Sequence, residues 1–268
     1  MTSGNEADNR KAAEAVRDLY DSSGGDLFAL IFGEQIHVGG FNASMALAEA
    51  AGINGGKGAD LCCNTGAGMR FLSRYRDAES IVGVDISSAV VERGRALCEA
   101  GGFTNVDLVH ADACESGIPS ESVDFVWGED AWCYVPDKPL LIKEAARVVR
   151  PGGTIAFTDW VAAGELSEGE RQFLYEGMRF PNLETLEGYT GLLEENGCEV
   201  VLAEDTGLFA KQMGLAAEML DTQYRWDALR ITRFDAERVE ATVQGLRMMA
   251  AWGTQGKIGQ GRIVARKA

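Results

Sequence analysis

Carboxylates recur where short apolar runs end. Asp60, Asp85, Asp112, the pair Glu129-Asp130 and Asp159 each close or follow a run rich in Val, Ile, Leu or Phe. Asp85 closes the second run, a place from which a carboxylate can accept both hydroxyls of a ribose. After the first run, Cys62-Cys63-Asn64-Thr65-Gly66 leads into a helical pattern. Gly66 can open that helix, whose free N–H groups and positive end suit a ligand carboxylate. A thiol at a helix start can be a nucleophile, but no histidine follows Cys62-Cys63 nearby as base, and small buried strand-end residues explain them more simply. The two histidines are His37, in FGEQIHVGGF, and His110, which lies inside an apolar run and reads as packed. Trp132 and Tyr134 flank Cys133 just beyond Glu129-Asp130. Aromatic faces attract cations, so these two can face a positively charged centre or can be core, and Trp160, Trp226 and Trp252 can extend such a cage.

The elements that must position these groups follow from periodicity. ADLCCN, SIVGVD, VDLVHAD, VDFVWGED and GTIAFTDW read as strands alternating with helices at 66–76, 87–100 and 136–149, the pattern of stacked βαβ units around a parallel sheet. Ser87 is a helix N-cap, Leu140, Leu141, Ala145 and Val148 form one apolar stripe, and the RPGG turn at 150–153 ends that helix and starts a strand. LETLEGYTGLLEENG is amphipathic and stops at Gly197, and EVVLAED and GRIVARKA add two more strands. The expected architecture is a doubly wound, Rossmann-like α/β sheet of seven strands, with the carboxylates on the rim beyond the strands' carboxyl ends, where such folds bind ligands. Residues 1–51 read as an N-terminal helical arm, and 52–268 as the catalytic domain with a helical insertion at about 206–260. Long insertions beside a ligand rim usually form lids.

Bulk properties set limits. The chain has 268 residues, 46% hydrophobic and 25% charged, enough for a full core. A net charge of −16 disfavours nucleic acid and anionic membrane surfaces, leaving a small molecule as the default partner and homo-oligomerisation open. Six cysteines show no metal-ligand spacing, no metal is expected, and reduced thiols fit a cytosol. MTSGNEADNRK contains no apolar leader and no membrane-length apolar run follows, so the expected location is cytoplasmic.

VGVD (82–85), HADA (110–113), VDFVWGEDAWCYVPDK (123–138) and EAARVVRPGGTIAFTD (144–159), in this order, resemble the class I S-adenosylmethionine-dependent methyltransferases. YDSSGGDLFALIFGEQIHVGGF (20–41) and WGTQGKIGQGRIVARK (252–267) narrow the resemblance to the sarcosine/dimethylglycine N-methyltransferase-like group, over nearly the whole chain. The resemblance implies S-adenosyl-L-methionine as cofactor, held by Tyr20, His37 and Gly39 from the N-terminal block. Asp60, Cys62, Asn64 and Gly66 from the first loop, Asp85 and Ile86, Asp112 and Ala113, and Glu129 and Asp130 would complete its site. Asp112 would take the adenine amino group and the Ala113 backbone the ring, while His37, Trp132 and Tyr134 would face the transferred methyl.

One departure is clear: the family's acidic-x-Gly-x-Gly-x-Gly loop is here Asp60-Leu61-Cys62-Cys63-Asn64-Thr65-Gly66, with Cys62 and Asn64 at glycine positions. Asn tolerates the left-handed region, whereas Cys there carries a penalty unless its φ is negative. The expected reaction is in-line methyl transfer to a small amine such as sarcosine or dimethylglycine, with His37 or a pocket carboxylate as proton acceptor. Alternatives are carbon or sulfur methylation of an isoprenoid or other small molecule, and a repurposed binding protein with an altered loop. A nicotinamide enzyme is disfavoured by the missing GxGxxG loop.

Overall fold

The computed structural model describes residues 14, 15, 18 and 23–268, so Tyr20 lies outside the described residues. Its seven strands are β1 (Lys57–Leu61), β2 (Ser80–Asp85), β3 (Val106–His110), β4 (Val123–Glu129), β5 (Val149–Ala162), β6 (Cys198–Asp205) and β7 (Ile258–Lys267). They form one sheet in the order β3-β2-β1-β4-β5-β7-β6. Neighbours are parallel except β7, which runs antiparallel to both β5 and β6. The doubly wound sheet expected from the sequence is present, with every strand where the apolar runs put it. Central β1 and β4 are covered on both faces and therefore read as continuous apolar runs, whereas edge strand β6 alternates buried with more exposed residues.

Ten α-helices among the described residues accompany the sheet, with a 3₁₀ turn at Trp132–Tyr134 and π turns at Leu174–Met178 and Met219–Gln223: α1 (Ser23–Phe32), α2 (Gly40–Ala51), α3 (Ala67–Tyr75), α4 (Ser88–Ala100), α5 (Lys138–Val148), α6 (Glu168–Phe173), α7 (Leu186–Glu195), α8 (Phe209–Glu218), α9 (Arg225–Ile231) and α10 (Ala236–Thr254). Leu47 of α2, Met69 and Leu72 of α3 and Val91 of α4 pack on one sheet face with Phe125 and Trp127. Leu141 and Ala145 of α5 and Tyr189 and Leu193 of α7 pack on the other with Val126 and Phe157. Successive β4 residues thus serve opposite layers, as strand geometry requires. A third cluster unites Leu27 and Ile31 of α1 with Met213 of α8, Val243 and Leu246 of α10 and Trp160 of β5. The N-terminal arm and the helices between β6 and β7 therefore share one apolar core.

Local signals mostly act as read. Ser87 caps α4, its Oγ accepting from Val90 N at 3.2 Å. Gly197, after α7, takes φ +75°. Two details differ. Val149 pairs with Val123 and Thr154 with Phe125, so the RPGG residues form an irregularity within β5 rather than a turn before it. Leu140 is 47% exposed, while Leu141, Ala145 and Val148 are buried. Its position faces the ligand rim instead of the core.

Candidate active site

The carboxyl ends of β1, β2 and β4 and the turn after β3 open into a cleft of 580 Å³, within the range of small-ligand pockets. Asp60, Cys62, Asn64, Asp85, Ile86, Asp112, Ala113, Glu129, Asp130, His37 and Tyr134 all line it. Parallel register explains the convergence: Asp60 lies beside Gly83 of β2 and Trp127 of β4, so the next residues of all three strands leave the sheet at one rim.

The loop after β1 adopts the backbone of a glycine loop without the glycines. Cys62 has φ +71°, Asn64 +48° and Gly66 +74°. The left-handed conformation at Cys62, which the sequence flagged as costly, is adopted, at an expense of about 1–2 kcal/mol for an L residue. Cys62 N and Cys63 N both donate to Val84 O, at 3.0 and 2.9 Å, which anchors the turn against β2. Burial pushes the Cys62 thiol well above its usual range, and the Asp85 charge adds to this, so it is no activated nucleophile.

Asp85 is aimed by its own neighbours: Oδ2 accepts Asn64 N at 2.9 Å and Oδ1 accepts Ser87 N at 3.0 Å. Asp112 similarly accepts Cys114 N at 2.8 Å. Asp60 is different, being 4% exposed and accepting no hydrogen bond from any described residue. Burial raises its pKa well above the carboxylate norm, and the charges of Glu129 and Asp85 raise it further. Such a group lacks a cation. At Gly68 a Cβ would come within 2.9 Å of Glu129 Oε2 and 3.4 Å of Asp60 Oδ2, and 3.2 Å from Trp127 Nε1, a buried donor without a partner among the described residues. Glycine there keeps the space before these carboxylates open.

On the opposite wall, His37 is buried in a closed network. Ser44 Oγ donates to Glu129 Oε1 at 2.6 Å and accepts from Gln35 Nε2 at 3.0 Å. His37 Nε2 lies 3.1 Å from Ser44 Oγ and 3.3 Å from Glu129 Oε1. Since the one Ser44 proton goes to Glu129, His37 Nε2 serves this network as a donor. Nδ1 is 3.4 Å from Val38 O. Asp130 in turn accepts Val38 N at 2.7 Å and the amide of Gln260 at 2.9 and 2.8 Å, and Gln260 also donates to Val38 O at 3.0 Å. These contacts pin the His37 segment to β4 and β7.

Beyond His37 and Tyr134 a smaller cavity of 30 Å³ is walled by Phe28, Phe32, Trp160, Met178, Met213 and Leu246. His37, Asp130 and Tyr134 border both spaces.

Several residues singled out in the sequence do not meet the ligand spaces. Trp132 is fully buried, stacked on Phe157 at 4.0 Å, with Nε1 donating to Leu61 O at 3.0 Å. It satisfies the carbonyl at which β1 ends, so it is a core residue and cannot face a methyl group. Gly66 N is taken by Cys63 O at 2.8 Å, and its Cα faces Leu108 and Met69; Ala67 and Gly68 present the helix mouth instead. Gly39, at φ +91°, packs against Ala43 and Leu208 and makes the bend that follows His37. His110 is exposed, with Nε2 3.0 Å from Ile86 O, rather than packed. Of the further tryptophans only Trp160 reaches a cavity: Trp226 is 64% exposed beside Phe234, and Trp252 packs on Phe173.

Sequence reasoning missed Ser44, Gln35, Gln260 and Gly68. A polar Ser44 in the otherwise apolar stretch SMALA was the available signal for the first; nothing in one chain marks the others.

A family model described as a methyltransferase domain matches residues 59–157, the segment carrying β1 to β5 and the carboxylate rim. The chain is an S-adenosylmethionine-dependent methyltransferase. Among curated relatives, this methyltransferase is 27% identical to the sarcosine/dimethylglycine N-methyltransferase of Halorhodospira halochloris, over 96% of this chain and 97% of the relative. It is also 27% identical to the 27-O-demethylrifamycin SV methyltransferase of Amycolatopsis mediterranei (strain S699), over 90% and 93%. Among solved structures, the fold matches Haemonchus contortus phosphoethanolamine N-methyltransferase 2 in complex with phosphomonomethylethanolamine and S-adenosylhomocysteine, with a TM-score of 0.82 at 21% identity. That match covers 94% of this methyltransferase and 58% of the other chain.

Proposed function

We propose that the methyltransferase transfers a methyl group to a nitrogen or oxygen of a small molecule, with S-adenosylmethionine in the larger cleft and the acceptor beside His37. The observation that carries this is Asp60: a buried carboxylate, crowded by like charges and short of a cation, fits the ammonium of the cofactor's methionine part. Asp85, already oriented by two backbone N–H groups, would hold the ribose hydroxyls, and Asp112 and Ala113 the adenine edge. When bound, the cofactor supplies an electrophilic methyl on a sulfonium. The chain's own contribution is placement, exclusion of water by α1 and the helices α8 to α10, and handling of the acceptor's proton. His37, or the carboxylate of Glu129 beside it on the cleft wall, would receive that proton. In this reading α1 and α2, the described helices of residues 1–51, form the arm, and the insertion at about 206–260 the lid, of one catalytic domain.

Sequence likeness to the Halorhodospira protein supports an amine acceptor such as sarcosine or dimethylglycine, and equal likeness to the rifamycin enzyme supports an oxygen. The test is a labelled-methyl assay over sarcosine, dimethylglycine, apolar amines and apolar alcohols, with His37→Asn alongside. Methyl transfer to any of them that falls about 10²-fold or more in the variant supports the reading. Cofactor binding without turnover of any acceptor would favour a repurposed binding protein.

A further inference from the structure

The size and the walls of the smaller cavity bear on the acceptor. Its 30 Å³ has room for about one water-sized or methyl-sized group, since such a group needs at least about 10–15 Å³. The wall is braced from behind. Trp160 meets Phe180 and Phe209 edge to face, with ring centroids at 5.1 and 4.7 Å, and Phe180 meets Tyr134 likewise at 4.9 Å. Met213 and Leu246 are buried in the cluster that α1, α8 and α10 share. Side chains packed this closely do not recede without shifting their neighbours. The mouth is fixed as well: Val38 N and Gln260 hold Asp130, and Ser44 and Glu129 hold His37. With those polar groups engaged, and most of the remaining wall made by Phe28, Phe32, Trp160, Met178, Met213 and Leu246, a water inside would find few partners. A methyl group gains by leaving water for aromatic faces and thioether sulfur. His37, Asp130 and Tyr134 border both spaces, so a group that enters the smaller one belongs to a molecule whose remainder lies in the larger cleft.

Resting on the methyl-transfer reading above, we infer that this cavity is the size filter of the acceptor site: it admits one branch no larger than a methyl, at or next to the accepting atom, and Trp160, Met213 and Leu246 set the limit. The body of the acceptor stays on the open side, in the larger cleft. An ethyl or longer branch at this place would press into the braced wall, and the strain of overpacking would outweigh the gain from burying its extra carbons.

The experiment uses symmetric probes, which cannot offer a smaller branch by turning round: dimethylamine, diethylamine and dipropylamine, with 2-propanol, 3-pentanol and 4-heptanol as uncharged counterparts. Affinities are read by ligand-observed NMR titration of the full chain saturated with S-adenosylhomocysteine. Unselective apolar binding strengthens with every added carbon, by roughly fourfold per methylene. The filter reverses that order, and the methyl-branched probe of a series is expected to bind at least tenfold more tightly than the propyl-branched one. A reversal among the amines alone places the filter at a nitrogen acceptor, among the alcohols alone at an oxygen. Phe28→Ala, at a half-buried position of the wall, and Met213→Ala, at a fully buried one, are each expected to bring the propyl-branched probe within twofold of the methyl-branched one or ahead of it, with S-adenosylhomocysteine affinity unchanged within twofold. Should Met213→Ala not fold, Phe28→Ala and the order in the parent still decide. Affinity that rises with branch length in both series of the parent, no binding of any probe, or an order unchanged in every variant that thermal melts show to be folded would each overturn the inference. Failure of S-adenosylhomocysteine itself to bind would instead strike the methyltransferase reading, and the two series on the ligand-free chain would still decide whether the cavity selects by size.

Discussion

Asp60→Asn is the perturbation with two opposed expected effects. The side chain is nearly isosteric, and Asp60 accepts no hydrogen bond from a described residue, so the change removes charge and breaks no such bond. In the free protein the carboxylate is disfavoured by burial and by Glu129 and Asp85. Its folded pKa lies above its unfolded value, so the folded chain binds the extra proton, and Asp60's contribution to stability falls as pH rises through the folded pKa. The amide that replaces the carboxyl has nothing to ionise, and at pH 8 the variant is expected to melt at a higher temperature than the parent. Cofactor binding should move the other way. A charge-assisted hydrogen bond is worth about 1.5–3 kcal/mol, and at 1.4 kcal/mol per decade its loss weakens S-adenosylmethionine binding by roughly tenfold to 150-fold. Thermal melts at pH 5 and pH 8 with calorimetric titration of the cofactor would read both. A variant that is less stable at pH 8 yet binds the cofactor as tightly as the parent would refute the assignment.

Four further outcomes are expected. Asp85→Ala should raise the cofactor dissociation constant by roughly tenfold to a thousandfold in the same titration, since it removes the ribose acceptor and frees Asn64 N and Ser87 N. Cys62→Gly should leave or improve cofactor binding and raise stability by up to about 1 kcal/mol in denaturant melts, the relieved left-handed strain being partly offset by glycine's larger unfolded entropy; lost turnover would show a specific use for the thiol. Gln260→Leu should destabilise by about 3 kcal/mol, because Asp130 would keep Val38 N but lose its buried amide partner. Burial raises the Asp159 carboxyl to about 7 despite its bonds from Cys133 N and Tyr189 and the opposing charge of Lys138. Its folded pKa is the higher, so its contribution to stability should decline as pH rises from about 4 to about 7 and level off above. Melting curves of the parent and Asp159→Asn across that range should converge at low pH and separate at high pH.

The sheet was legible because buried strands leave continuous apolar runs and each run ended in a carboxylate or a turn residue. Backbone geometry then brings Asp60, Asp85, Asp112 and Glu129 to one rim without further information. Side-chain direction was not legible. Trp132 and Tyr134 differ by two residues in a single turn of 3₁₀ helix, yet one points under the sheet to Leu61 O and the other into the cleft. Gly66 and Gly68 likewise exchange the role expected from the loop pattern, because Gly66 spends its N–H closing the turn. The Ser44, Gln260 and Gln35 contacts join segments distant in the chain and leave no periodic trace. The smaller cavity is similar: Phe28, Met213 and Leu246 sit at ordinary helical core spacing, and only the packing of α1 against α8 and α10 shows that a space remains between them.

The central claim is that carboxylates at the strand tips grip an adenosyl sulfonium. The most direct measurement is a crystal structure of the chain grown with S-adenosylhomocysteine. The account predicts the ribose hydroxyls on Asp85, the amino group at Asp60 and the homocysteine sulfur directed toward His37 and Tyr134. Ligand bound outside this cleft, or a cleft empty at a ligand concentration that saturates the protein in solution, would contradict it.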